Sequence, residues 1–259
     1  MTAGWIEYVV VFIFGTAIGS FLNVVIYRVP LGKSIVRPGS SCPACNRPIR
    51  FYENIPILSY ILLRGRCAGC GRRISLRYPA VEAGMGLIAV ILFNRFGLSW
   101  DLLFYSAFGA VLLALSVIDI ICFRLPNKIV LTGAIIAIVL TLLVRRDHLI
   151  MMIIGGLTGL GMLWIMGLIG RLLFRKDTLG MGDIKLAGMM GLYLGPYRTG
   201  GMFIIGVFIG AIAGVTMIAL GGKKLGHLIP FGPYLALGGM IALLWGDILW
   251  HWYLSMLLP

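Results

Sequence analysis

Two aspartates and four cysteines are the residues of this chain whose types and spacing could do chemistry. Asp119 sits in Ser116-Val-Ile-Asp-Ile-Ile-Cys-Phe-Arg-Leu-Pro126 and Asp183 in Leu179-Gly-Met-Gly-Asp-Ile-Lys-Leu-Ala-Gly188, each at the edge of an apolar run. The chain spends only nine acidic residues in 259, and an ionisable group at the edge of a bilayer is a functional-site hypothesis by default. Two carboxylates in one partly dry site share a proton. The ionised member then takes a proton from water while the protonated member polarises a scissile carbonyl, which gives hydrolysis without a metal or a covalent intermediate. Gly180 and Gly182 would let a peptide backbone come close to Asp183. Two other readings stand beside this one. Asp183 could cap a helix while Asp119 pairs with Arg124 or Lys185, and a transporter would also hold acids within a bundle, although nearer mid-bilayer and on broken helices.

Cys42-Pro-Ala-Cys45 and Cys67-Ala-Gly-Cys70 are two C-x-x-C knuckles separated by 21 residues, close to the C-x₂-C-x₁₅₋₂₀-C-x₂-C spacing of zinc sites. Four thiolates suit tetrahedral Zn²⁺, and a closed shell leaves no position for substrate, so the metal is structural. Iron in the same shell and a pair of disulfides are the alternatives, the latter disfavoured in a reducing compartment. The fifth cysteine, Cys122, is expected to be an ordinary buried residue.

The elements that must position these residues are membrane helices. The hydrophobic fraction is 60% and the charged fraction 12%, with a mean hydropathy of +1.00, which excludes a large soluble enzyme. Apolar windows long enough to span a bilayer fall near Trp5–Val29, Pro79–Phe96, Trp100–Phe123, Lys128–Val144, Leu149–Phe174, Gly201–Leu220 and Pro233–Leu254, with a shorter one at Asp183–Gly195. The expectation is an all-α polytopic membrane protein of about eight transmembrane helices with a small zinc-binding cytoplasmic domain. Its parts are a first helix over 1–29, a Cys₄ domain over 30–78, and a multi-helix membrane domain over 79–259. The first run has no basic residue before it and so lacks the positive n-region of a cleaved signal peptide.

Charge orients the helices. With the N-terminus outside, the pieces between spans that face inward hold 18 Lys/Arg, among them Lys223 and Lys224, and those facing outward hold 4. That is the positive-inside pattern, and it accounts for the net charge of +13 without nucleic acid as a partner. It places the cysteine segment in the cytoplasm and puts Asp119 and Asp183, 64 positions apart in sequence, at one depth on that same side. A segment so small needs a metal to hold its shape, and Arg64, Arg66, Arg72, Arg73 and Arg77 could meet anionic membrane lipids or a protein partner. Glycines at helical spacing, Gly15-x-x-x-Gly19 and Gly206-x-x-x-Gly210-x-x-x-Gly214, predict close helix packing. His148, His227 and His251 are scattered and form no H-E-x-x-H, no Walker A loop or G-x-G-x-x-G fingerprint is present, and nothing in the spacing unites Ser20 with Lys185 as a serine–lysine pair.

Taken together the motifs resemble the bacterial type IV prepilin peptidases. The resemblance rests on Gly19-Ser-Phe-Leu-Asn-Val-Val-Ile-Tyr-Arg-Val-Pro30, the paired knuckles, Glu53-Asn-Ile-Pro-Ile-Leu-Ser-Tyr60, Ile118-Asp119 followed by Leu125-Pro126, Gly180-Met-Gly-Asp-Ile-Lys-Leu186 and Pro230-Phe-Gly-Pro233. It implies a GxGD-type aspartyl protease of the inner (cytoplasmic) membrane with Asp119 and Asp183 as its catalytic pair and Cys42, Cys45, Cys67 and Cys70 as zinc ligands. Its substrates would be type IV prepilins or pseudopilins of pili and type II secretion, cut after a short basic leader on the cytoplasmic side. The resemblance also implies N-methylation of the new N-terminus from S-adenosylmethionine, with Glu53, Glu82 and Gly86 matching family motif positions as cofactor or substrate-amine contacts. Helix packing or pairing is the competing role for those three. Asn127 departs from the family's Leu-Pro-Asp pattern and removes a third acid from the neighbourhood of Asp119. The competing function class is a zinc-loop membrane transporter or assembly scaffold without proteolytic activity.

Overall fold

The computed structural model describes residues 4–176, 179–220 and 230–257, the side chains of 250–254 and 257 aside. Lys223, Lys224 and His227 lie outside the described residues. The described chain is helical: α1 (Trp5–Arg28), α2 (Leu58–Leu62), α3 (Arg77–Phe96), α4 (Trp100–Cys122), α5 (Asn127–Val144), α6 (Leu149–Phe174), α7 (Met181–Leu194), α8 (Pro196–Ala219) and α9 (Gly232–Leu257). Seven of these, α1, α3, α4, α5, α6, α8 and α9, are long and apolar enough to cross a membrane. The eighth expected span is present as α7, but at 14 residues it is about 21 Å long, short of the roughly 30 Å hydrocarbon core. The span expected to begin at Gly201 starts earlier, at Pro196, because proline suits the first turn of a helix, where its missing N–H has no partner to lose.

The chain divides into two compact units, Met1–Ala114 and Leu115–Pro259. In the first, α1 and α3 pack antiparallel along a stripe of small residues. A Cβ on Gly15 would lie 2.8 Å from the Gly86 Cα, and one on Gly19 would lie 2.7 Å from the Glu82 Cα. Backbones that approach this closely gain dispersion contacts unavailable to larger residues. Polar ties close both ends of the pair: Tyr8 donates to Asn94 Oδ1 at 3.0 Å and Asn23 Nδ2 donates to the Tyr78 carbonyl at 3.0 Å. Met85, Leu92 and Phe108 form the dry core.

In the second unit α7 packs against α5, α6, α8 and α9. Nine of its residues, from Ile184 to Leu194, are buried, so protein rather than lipid surrounds it, which explains how so short a helix is accommodated. Its seam with α6 is again glycine against backbone, and a side chain at Gly155 or Gly191 would collide with the other's carbonyl. Tyr193 reaches α5 and donates to the Gly133 carbonyl at 2.9 Å. At α8 and α9, Arg198 makes a two-pronged ion pair with Asp247, its shorter contact 2.8 Å.

Candidate functional site

Asp119 and Asp183 line one cavity of the second unit, with a volume of about 360 Å³. Arg124, Leu125, Asn127, Gly180, Gly182 and Lys185 are among its other lining residues. Asp119 lies in the last turn of α4 and is buried. The helix ends at Cys122, where Phe123 turns to φ 52°. Leu125-Pro126 then leads into α5, since the residue before a proline avoids helical geometry.

Asp183 lies in the first turn of α7, where an acid is favoured by the helix dipole. Its amide donates to the Gly180 carbonyl at 3.0 Å. The N-cap residue is Gly180, so Asp183 is not the cap, and its carboxylate is close enough that a Cβ on Gly180 would sit 3.1 Å from Oδ2. Gly182 faces the α4–α5 connection, where a Cβ would sit 3.1 Å from that of Leu125. A side chain at either glycine would make a tight contact beside Asp183.

The partner of Asp119 is neither Arg124 nor Lys185. Its Oδ2 accepts the Gly232 N–H at 3.0 Å in a buried hydrogen bond, and a Cβ on Gly232 would lie 2.8 Å from that oxygen. Gly232 opens α9, so the carboxylate receives one of the amides that a helix start leaves without an internal acceptor. Lys185 instead donates to Asn127 Oδ1 at 3.1 Å. The motif Pro230-Phe-Gly-Pro233 thus lies beside Asp119, a pairing that sequence spacing does not encode. The available signal was a glycine flanked by bulky and rigid residues at a helix start, which marks a close approach.

The four cysteines of the first unit converge as the spacing predicts. Their sulfurs lie within 4.8 Å of one another, with Cys42 and Cys70 at 3.9 Å. Tetrahedral Zn–S bonds of about 2.3 Å imply S···S separations near 3.8 Å, whereas a disulfide requires about 2.05 Å. All five cysteines are free thiols, so the set fits a Zn-type ion. Each knuckle is the same turn used twice. The Cys42 amide donates to Arg47 O at 3.0 Å and the Asn46 amide to Cys42 O at 2.9 Å, while Cys67 and Gly71 repeat the pair with Arg72 O and Cys67 O. Asn46 and Gly71 take positive φ at equivalent places, 56° and 69°, a conformation asparagine and glycine tolerate best. Backbone amides of Ala44 and Cys45 hold the Cys42 thiol down to about 6. At Cys45 the Arg47 amide pulls down, but burial and the neighbouring thiols push the group up to about 11. Cys122, expected to be buried, is exposed at the end of α4.

Of the residues tied to methyl transfer, Glu82 and Gly86 lie one turn apart on α3, and Glu53 lies four residues before Ile57, whose amide Glu82 accepts. Glu53 follows the first knuckle, where it accepts from Arg47 Nη2 at 2.7 Å and from the Arg50 amide at 3.1 Å. The Arg50 amide, and then Arg47, hold its carboxyl below the usual range. Arg47 in turn lies across the second knuckle, with its Cδ 2.9 Å from where a Gly69 Cβ would be. Glu82, buried on α3, accepts the Ile57 amide at 2.8 Å. Gly86 is filled by α1, where a Cβ would meet Phe12 at 2.7 Å. Each of the three is engaged by contacts within the fold.

Two family models match the chain: the bacterial peptidase A24 N-terminal domain over residues 13–96 and the type IV leader peptidase family over residues 106–215. Among similar proteins, a prepilin leader peptidase/N-methyltransferase of Aeromonas salmonicida is 36% identical over 98% of this chain and 96% of its own length. Proteins of the same name from Pseudomonas aeruginosa and Neisseria gonorrhoeae are 34% and 32% identical, over 93% and 94% of this chain and 91% and 93% of theirs. No solved structure matches.

Proposed function

The chain belongs to the type IV leader peptidase family, and from that premise we propose that it removes the basic leader from type IV prepilins or pseudopilins and methylates the N-terminus so exposed. The observation that carries the proteolytic half is the cavity shared by Asp119 and Asp183. Asp119, whose Oδ2 accepts the Gly232 amide, is assigned as the base, and Asp183 as the acid that carries the shared proton. Asp119 takes a proton from water as its oxygen attacks the scissile carbonyl carbon, and Asp183 donates its proton to the carbonyl oxygen. Breakdown of the tetrahedral intermediate returns a proton to the leaving amine and restores a dyad carrying one proton. With no side chain at 180 or 182, a substrate backbone could approach Asp183 closely.

The Cys₄ set would hold a structural zinc through Cys42, Cys45, Cys67 and Cys70, supplying rigidity to a domain over 30–78 between the first helix and the membrane domain. No step of methyl transfer is assigned to Glu53, Glu82 or Gly86. The charge distribution supports an orientation with the zinc domain and the dyad on the cytoplasmic side of the bacterial inner membrane.

The test is cleavage of a prepilin with a Gly-Phe junction by the full chain in detergent, read by intact mass. Leader loss with wild type and not with Asp183→Asn supports the protease, and an added methyl mass with S-adenosylmethionine supports the second activity. A folded, zinc-loaded wild type that cleaves none of several prepilins would favour the transporter or scaffold.

A further inference from the structure

The segment joining the two knuckles carries apolar side chains that no described residue covers. Phe51 is 87% exposed, Ile61 63% and Leu62 71%, and Ile55 and Leu58 are also exposed. Residues 30–78 carry nine Lys/Arg and Glu53 as their single acid, and Leu31, Val36 and Leu76 are exposed elsewhere in them. Arg50, Arg64 and Arg66 flank the apolar stretch and are exposed. Arg50 also stacks on Tyr52, 5.9 Å from the ring centroid.

One hydrogen bond ties this stretch to a helix long and apolar enough to cross a membrane. Ile57 N–H donates to Glu82 Oε2 at 2.8 Å. Glu82 lies five residues into α3, about 7.5 Å along the helix axis, and side chains on a helix lean back toward its N-terminus. The start of α3 carries Arg77 against the Tyr78 ring at 5.1 Å, the kind of pair that sits at a membrane surface. Ile57 is thus held within the first turns of a transmembrane helix. It adopts φ 61°, a costly conformation for a β-branched residue that persists where surroundings over-determine it.

We propose that Phe51–Leu62 is an interfacial anchor, latched to α3 by Glu82, whose apolar side chains enter the headgroup–acyl boundary while Arg50, Arg64 and Arg66 meet the phosphates of anionic phospholipids. The apolar stretch is tied to a span through the Ile57–Glu82 hydrogen bond, and the flanking charge is complementary to an anionic leaflet. The anchor would keep both knuckles at the membrane surface.

The experiment places p-benzoylphenylalanine singly at Phe51, Ile61 and Ala68 of the full chain, the last between the second pair of cysteines. Each protein is irradiated in nanodiscs of phosphatidylcholine with or without phosphatidylglycerol, and adducts are identified by mass spectrometry. Support is several-fold more lipid adduct at 51 and 61 than at 68, rising with phosphatidylglycerol. Equal yields at all three positions, no lipid adduct at 51 and 61, no response to phosphatidylglycerol, or adducts only to a prepilin or a second copy of the chain would overturn it. Amide hydrogen exchange of the wild type gives a measurement free of substitutions: slower exchange over 51–62 in nanodiscs than in detergent is expected, and identical exchange would count against the anchor.

Discussion

The cysteine cluster and the aspartate cavity are built on opposite plans. The cluster takes its ligands from two copies of one local turn, each made within about seven residues and joined by a tether that Glu53 and Arg47 stiffen. The cavity takes Asp119 from the end of one helix, Asp183 from the start of another and the Gly232 amide from the start of a third. Local turns need a metal to be stable, whereas a site assembled from distant helices needs only that those helices pack. The two should therefore fail separately.

The largest separation is expected in turnover. Asp119→Asn and Asp183→Asn should each lower prepilin cleavage by about a thousandfold or more, leaving metal content and thermal unfolding unchanged. Equal loss of stability and activity would show that the pair is structural.

Metal removal should do the converse. Structural zinc contributes on the order of 10 kcal/mol to the folding of small domains, so a chelator or Cys42→Ser should expose residues 30–78 to trypsin while α5–α9 keep their protection from amide exchange. Simultaneous loss of both would erase the distinction.

A smaller effect comes from the seam between α6 and α7. Gly155→Leu forces a side chain into the Gly191 backbone and should cost about 1–3 kcal/mol or more, lowering the unfolding temperature and prepilin cleavage together without changing zinc content. An unchanged melting temperature would mean the two backbones are not in contact.

The smallest concerns Glu53. Its carboxyl is held below the ordinary value of 4.5, first by the Arg50 amide and then by Arg47. A depressed acid stabilises the fold at pH above its unfolded value, and that contribution disappears as pH falls through the folded value. Glu53→Gln should therefore raise slightly the pH at which acid releases the metal, with both proteins converging at lower pH. A midpoint unchanged by the substitution would remove Glu53 from the zinc domain's support.

What was legible in the sequence followed the same divide. The knuckles are periodic within a few residues, so their spacing alone predicted the cluster. The spans were visible because hydrocarbon demands long apolar runs, and Gly15 and Gly19 forecast a packed seam that α3 supplies. The two aspartates were matched in depth by counting spans, but the contact between Gly232 and Asp119 joins residues 113 positions apart, and no periodicity encodes it. Hydropathy marked α7 as shorter than the other spans but could not show that protein rather than lipid encloses it, since both surroundings favour apolar residues. Cys122 was misjudged because an exposed position on a membrane helix favours the same residues as a buried one.

The enclosure of α7 has a consequence for how the protein meets membranes of different thickness. Hydrophobic mismatch acts on helices that touch lipid, which respond by tilting. A helix of 14 residues with nine buried has almost no lipid boundary to sense, and its glycine seam with α6 fixes its register from within the protein. The outer spans can lean as the bilayer thins or thickens, while the helix bearing Asp183 stays insulated from lipid composition.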